Sequence, residues 1–216
     1  MTFHGRDSRK IVSIIPARGK SKGIPRKNLV LLRGRPLIYY AIKASLDSQV
    51  EQTWVSSEDD EILRIAEDLG ARALKRPEEL STDTASSDAV LLHFAERVWF
   101  DVLVFLQATS PLTTGEDIDR GISMLDEYDS VIAVSRLTQF VWTDGRPNYD
   151  IQDRKRRQEW KSTFLETGGF FITTRDNLLR YRNRIGGRIG FCVVPKIRSF
   201  DIDSYEDLEI VERLMA

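Results

Sequence analysis

The stretch Ile11–Asn28, IVSIIPARGKSKGIPRKN, decides how this chain is read. Ile11 to Ile15 is an apolar run that predicts a buried strand, and Pro16 ends it. The loop that follows holds Gly19, Gly23 and Pro25 together with five cations, Arg18, Lys20, Lys22, Arg26 and Lys27. In α/β proteins ligands sit in the crevice beyond the carboxyl ends of the strands, and a glycine-containing basic loop there is a phosphate site. Glycine lets backbone N–H groups approach an anion, while lysine and arginine supply the compensating charge. The loop therefore points to a polyphosphate, a nucleotide first of all. It is not a Walker A loop, because Ile24 and Pro25 follow Gly23 where lysine and a hydroxyl are needed. Nor is it a GxGxxG fingerprint, because Gly19 and Gly23 stand four apart. The plain alternative is a solvated basic turn or a nucleic-acid patch.

Downstream, short apolar runs alternate with amphipathic segments, the pattern of a mostly parallel sheet covered on both faces. Strands are expected at Ile11–Ile15, Thr53–Ser56, Val102–Leu106, Ser130–Val134, Gly169–Thr173 and Ile189–Val194, with a short one at Ala71–Lys75. Helices are expected at Pro36–Leu46, Asp59–Leu69, Thr84–Val98, Gly115–Leu125, Arg175–Tyr181 and Ser204–Met215. Ser204 with Asp207 has the spacing of an N-cap and a first-turn acid. Residues 136–162 break the alternation and are read as an inserted arm. Residues 1–10 are expected to be loose, and 11–216 to form one domain.

The chain has 216 residues and a net charge of −1 from 32 basic and 33 acidic side chains, so no global field favours nucleic acid or an anionic membrane. Cys192 is read as a buried structural thiol. No apolar signal core opens the sequence and no run has membrane-spanning length, which leads us to expect a cytoplasmic protein. Only His4 and His93 exist, which argues against a histidine triad or a multi-histidine metal site.

Residues after each strand should gather at one sheet edge. Gln107, in the turn QATSP after VLVFL, stands where an amide could bond a base or ribose; otherwise Thr109 or Ser110 simply caps a helix. Asp201 and Asp203 alternate about Ile202, so an extended backbone turns both carboxylates to one side. That suits Mg2+, which takes one or two carboxylates and completes its shell with water and phosphate oxygens. The competing reading makes Asp203 a helix-capping acid. The run Arg154–Arg157 is either a solvated face or a grip on an anionic substrate. The hydroxyls of Ser81–Ser87, behind Arg76-Pro77, either cap a helix or also meet nucleotide.

PARGKSKGIPRKN, LQATSPL, RP before STDTASS, and DIDSYEDL together resemble the acylneuraminate cytidylyltransferases, relatives of the CMP-Kdo synthetases. The resemblance runs from about Ile11 to the end. It implies a Rossmann-like nucleotidyltransferase fold, a three-layer α/β/α arrangement with a mostly parallel sheet and a small dimerisation arm at 136–162. It also implies a homodimer, Mg2+, CTP and an acidic acceptor, and the charge balance adds the expectation of no nucleic acid or membrane partner.

The resemblance assigns nucleotide binding to Ala17, Arg18, Gly19, Lys22, Lys27, Asn28, Arg76, Ser81 and Ser86, and the metal to Asp201 and Asp203. Arg18 and Lys22 would steady departing pyrophosphate. Lys20, Gln107, Arg157, Gln158 and Thr167 fall on the acceptor side. There the chain departs from the family: Lys20 replaces a glycine, Ala108 and Thr113 replace a proline and an arginine, and Thr167 replaces an asparagine. Glu58 also stands for an aspartate. A sialic-acid-like nonulosonic acid is the first acceptor expected, with a small phosphonate, or GTP as donor, as alternatives. A non-catalytic nucleotide-sensing domain and a nucleic-acid-binding protein are the other classes.

Overall fold

In the computed structural model, which describes residues 9–154, 156 and 163–215, the opening apolar run lies inside a seven-stranded sheet. β1 (Ile11–Pro16) leads through the basic loop to a small hairpin, β2 (Leu31–Leu32) with β3 (Arg35–Pro36), and then to α1 (Ile38–Leu46). β4 (Gln52–Ser57) and β5 (Arg72–Lys75) bracket α2 (Asp60–Asp68), and α3 (Ser87–Arg97) leads to β6 (Val102–Leu106). α4 (Gly115–Ser123) precedes β7 (Ser130–Leu137), and a hairpin of β8 (Trp142–Thr143) and β9 (Arg146–Pro147) follows. β10 (Thr163–Thr174), α5 (Arg175–Tyr181), β11 (Ile189–Val193) and α6 (Tyr205–Leu214) come after it.

The strand order is β11-β7-β10-β6-β1-β4-β5. β1 pairs in parallel with β4 and β6, and β10 runs antiparallel to both of its neighbours. Side-chain alternation divides the sheet into two cores. Ile15, Val55, Val104, Leu106 and Ile172 pack with residues of α1, α2 and α4. Val12, Ile14, Leu103, Phe105 and Phe171 pack with residues of α3 and α5 on the other face. This is the expected three-layer α/β/α fold with a mostly parallel sheet. A third, smaller core joins distant parts of the chain. In it Ile24 of the basic loop, Leu32, Leu37, Ile202 and Val211 are buried together.

Several expectations shift. Asp59 and Ser86, expected inside helices, are their N-caps: Asp59 accepts from the N–H groups of Glu61 and Ile62, and Ser86 from that of Ala89. Ser204 and Asp207 form a complete capping box. The strand expected at Gly169–Thr173 is only the inner half of β10, whose outer half carries Glu166, Thr167 and Gly168 at a register break before Phe171. Polar residues and a bulge hide that half in the sequence. The expected arm begins inside the sheet, since β7 continues to Leu137, which pairs with Thr163. Arg157 and Gln158 lie outside the described residues, as do residues 1–8 of the terminus expected to be loose. No helix among the described residues is long and apolar enough to cross a membrane.

Candidate functional site

At the carboxyl edge of β1, β4 and β6 a cavity of about 440 Å³ opens. Arg18, Lys27, Asn28, Arg76, Gln107, Asp201 and Asp203 all line it, although they come from well-separated stretches of sequence. The strand ends explain the convergence. Ala17 leaves β1 with its N–H bonded to the Ser56 carbonyl at 2.9 Å, so the basic loop starts level with the end of β4. The 107–111 turn leaves β6, and the Thr109 carbonyl accepts from the Ile202 N–H at 2.9 Å, which ties the segment 201–203 to that turn.

The basic loop is laced to acids from other elements. Asn28, buried, donates its amide to the Arg18 carbonyl at 2.9 Å and fixes the loop's start against its end. Arg18 and Lys22 both reach Asp83, at 2.5 and 3.0 Å. Lys27 lies 2.7 Å from Asp203. Arg26 adopts a left-handed backbone (φ 51°) and pairs with Asp59 and Glu61 of the α2 start. The Gly19 N–H, expected to face an anion, instead donates to Glu58 Oε1 at 2.7 Å. Lys20 is exposed and stands outside the cavity wall.

Glu58 is the pivot of this wall. Burial pushes its carboxyl up, but Ser81, the Gly19 N–H and Arg76 together bring it below the usual value, so it stays ionised. Arg76 is 5% exposed, bonds Ser81 Oγ through Nε at 2.7 Å and approaches Glu58 at 3.5 Å. A buried guanidinium needs such partners, because a charge left without them costs several kcal/mol. Ser81 thus holds Arg76 and Ser86 caps α3, while Thr82 and Ser87 line the cavity instead. The expected serine-rich loop is in place, but different hydroxyls of it face the ligand space.

Asp201 and Asp203 both line the cavity, while Ile202 between them is buried in the third core. Asp201 Oδ1 accepts from Ser110 Oγ at 3.1 Å. Burial raises the Asp201 carboxyl above its ordinary value, and the neighbouring charge of Asp203 adds to this against hydrogen bonds from Thr109 and Ser110 and the charge of Lys27. Two carboxylates close enough to repel, with an ammonium already drawn to one of them, fit a hard divalent cation. Among the described residues no group of three or more His, Cys, Asp or Glu converges as a metal site. The alternative that makes Asp203 a helix cap is not what forms, since Ser204 takes that position.

Gly23 shows how tightly loop and carboxylates are joined: a Cβ there would meet the Asp203 carbonyl oxygen at 2.3 Å. Across the cavity Gln107 faces the β10 bulge. Gly168 there has φ +72°, a backbone barred to most residues, and a Cβ on it would lie 3.3 Å from Gln107 Oε1. Thr167 is 5% exposed, with its hydroxyl donated to the Ala133 carbonyl at 3.1 Å and accepting from the Gly169 N–H at 3.3 Å. It braces the bulge and does not line the cavity, contrary to a direct acceptor contact. Cys192 is buried and its thiol is pushed up by burial, as expected of a structural cysteine. His93 is buried on α3, its ring nitrogens have no hydrogen-bond partner among the described residues, and burial lowers its pKa.

Thr82 and Ser87 are among the hydroxyls expected to meet nucleotide, whereas Asp83 and the apolar lining residues Leu80, Val90 and Phe105 are part of the wall without being legible as such in the sequence. Asp83 lies in view inside STDTASS, but an acid facing a loop far earlier in the chain leaves no local pattern.

Known proteins resemble this chain along most of its length. A sequence profile of the cytidylyltransferases matches residues 12–215. N-acylneuraminate cytidylyltransferase B of Danio rerio is 35% identical over 213 residues, covering 93% of this chain and 50% of that protein. The pseudaminic acid cytidylyltransferase of Campylobacter jejuni is 30% identical over 223 residues, 95% of this chain and 96% of its own length. A solved structure of CMP:2-keto-3-deoxy-manno-octonic acid synthetase complexed with CTP shares the fold at a TM-score of 0.73 and 20% identity, over 95% of this chain and 98% of that one. The chain spans about half the length of the Danio rerio relative. With a match that runs from β1 to α6, the chain belongs to the cytidylyltransferase family.

Proposed function

We propose that this chain transfers CMP from CTP to an acidic sugar of the nonulosonic class, releases pyrophosphate, and requires Mg2+ held by Asp201 and Asp203. The observation that carries the reading is one cavity that brings Arg18, Lys27, Asn28 and Arg76 together with Asp201 and Asp203. The names of the Danio rerio and Campylobacter jejuni relatives support a sugar acid of the acylneuraminate or pseudaminic type as acceptor.

Chemically, the acceptor hydroxyl oxygen attacks the α-phosphorus of CTP and gives up its proton to solvent as the bond to the bridging β-phosphate oxygen breaks, and that bond's electrons leave with pyrophosphate. Catalysis of this kind is mostly positioning and charge neutralisation. Arg18 and Lys22 neutralise the departing pyrophosphate, while Lys27, beside Asp203, stands at the junction of phosphate and carboxylates. Arg76, fixed by Glu58 and Ser81, presents a rigid donor face to the nucleotide. Asp201 and Asp203 would hold the divalent cation, which would supply charge neutralisation at the phosphates. Gln107 and the Gly168 bulge border the acceptor end, and Thr167 shapes that end from behind. A homodimer fits β11, an edge strand whose Ile189, Phe191 and Val193 are exposed on one face.

The test is pyrophosphate release with CTP, Mg2+ and a panel of acceptors: N-acetylneuraminate, pseudaminate, Kdo and phosphonoformate, with GTP in parallel. Release with CTP and a nonulosonic acid supports the reading. Release only with the phosphonate would reassign the acceptor, and no turnover with either nucleotide would favour a nucleotide sensor.

A further inference from the structure

The acids around the basic loop are of two kinds. Glu58 and Asp59 accept from backbone N–H groups, the first from Gly19 and the second from Glu61 and Ile62 at the start of α2, and Asp59 also pairs with Arg26. Asp83 meets the loop through side chains. Among the described residues its two carboxylate oxygens are each given to one cation, Oδ1 to Arg18 at 2.5 Å and Oδ2 to Lys22 at 3.0 Å. It sits in the turn between Glu78–Ser81 and α3, on the cavity wall that faces the loop. Hydrogen bonds from Lys22 and Arg18 hold its carboxyl below the usual carboxylate range, so it stays charged at neutral pH.

A carboxylate that splits its two oxygens between a guanidinium and an ammonium occupies both donors in the way two phosphate oxygens would. We propose that Asp83 is an internal counter-anion that occupies Arg18 and Lys22 until a polyphosphate displaces it, and so tempers the site's hold on pyrophosphate and eases its release. This rests on the reading of the cavity as the CTP site.

The physical consequence is a competition. A ligand that does not reach the loop leaves the Asp83 contacts intact and gains nothing from the two cations. A triphosphate or pyrophosphate must break both contacts, and then also repels the released carboxylate. Asp83 therefore subtracts from the affinity of every ligand that engages the two cations, and from no other. The same carboxylate stands ready to retake Arg18 and Lys22 as pyrophosphate departs. The contacts are half-exposed, with the Asp83 side chain 44% accessible, so the exchange needs no unfolding of the wall.

The experiment measures equilibrium binding of CTP, inorganic pyrophosphate and cytidine to the wild type, Asp83→Asn and Asp83→Ala by calorimetry, each with a thermal melt. Removing the competing charge should tighten CTP and pyrophosphate by roughly three-fold or more, as expected for loss of partly exposed ion pairs. Cytidine binding should stay unchanged. Equal or weaker CTP and pyrophosphate binding in both variants, with unaltered melting, would overturn the proposal and make Asp83 a support that positions Arg18 and Lys22. Should the wild type bind pyrophosphate but not CTP, with tightening in the variants, the counter-anion stands and the nucleotide reading fails. Should it bind neither, both fall.

Discussion

Asp201 and Asp203 divide their work by environment. Asp203 is well exposed, so Asp203→Asn should leave the melting temperature within ~2 °C of wild type, as surface changes of this sort do. The same change should lower metal-dependent turnover by ~10² or more, the scale on which lost charge-stabilising groups act. A Mg2+ titration of activity beside a thermal melt checks both, and wild-type turnover would remove Asp203 from the metal role. Asp201 carries a pH dependence of its own, because burial and the charge of Asp203 raise its carboxyl. It takes up a proton at a higher pH than an ordinary aspartate, and the protonated form is a poor cation ligand. Divalent-cation affinity should therefore decline as pH falls through that raised value, sooner than for an unperturbed carboxylate. Stability runs the other way: the raised folded value favours the folded state at low pH, and that contribution is lost as pH rises through it. Manganese binding followed by spin resonance from about pH 7 to 3, a window that spans the ordinary carboxylate value and the range above it, measures the first effect. A flat profile would contradict it.

The loop Arg18–Asn28 and the segment Asp201–Asp203 act as one element because Ile24 and Ile202 share the third core and Gly23 abuts the Asp203 carbonyl. Gly23→Ala would force these backbones apart, at a cost of about 1–3 kcal/mol for overpacking, and should weaken CTP and Mg2+ binding together. Calorimetry with each ligand tests this; loss of one without the other would uncouple them. Ser204→Ala removes the capping-box hydroxyl that starts α6, which should cost about 1 kcal/mol and lower the melting temperature by ~2–4 °C. A thermal melt reads it, and an unchanged midpoint would make the cap dispensable. These elements differ in how far the sequence exposes them. The alternation of Asp201, Ile202 and Asp203, and the Ser204–Asp207 cap, are local patterns and can be read directly. The outer half of β10 cannot, because Glu166, Thr167 and Gly168 look like loop until β7 is placed beside them. Ser86 is ambiguous for a related reason: a hydroxyl ahead of a helix can cap or bind, and only the Ala89 N–H decides.

At the scale of the molecule, the strand–loop alternation is enough to expect a sheet covered on both faces and to bring the basic loop, Gln107 and Asp201–Asp203 to one edge, while the family resemblance adds Asn28 and Arg76. What it leaves out are pairings between distant stretches, Asp83 with Arg18 and Lys22, and Glu58 with Gly19 and Arg76, which depend on how α3 and β4 approach the loop. Those pairings neutralise a strongly basic loop from within, in a chain whose net charge is only −1. On the proposed reading, acceptor choice would be a property of the whole edge, because Gln107, Thr113 and the β10 bulge meet there.

Cytidylyl transfer at this edge is most directly put to the test by phosphorus NMR of one reaction. With CTP, Mg2+ and a nonulosonic acid, pyrophosphate and a new phosphodiester resonance should appear in equal amounts, both lost in Asp203→Asn. Unchanged CTP, or hydrolysis to CMP with no sugar conjugate, would contradict transfer to a sugar acid.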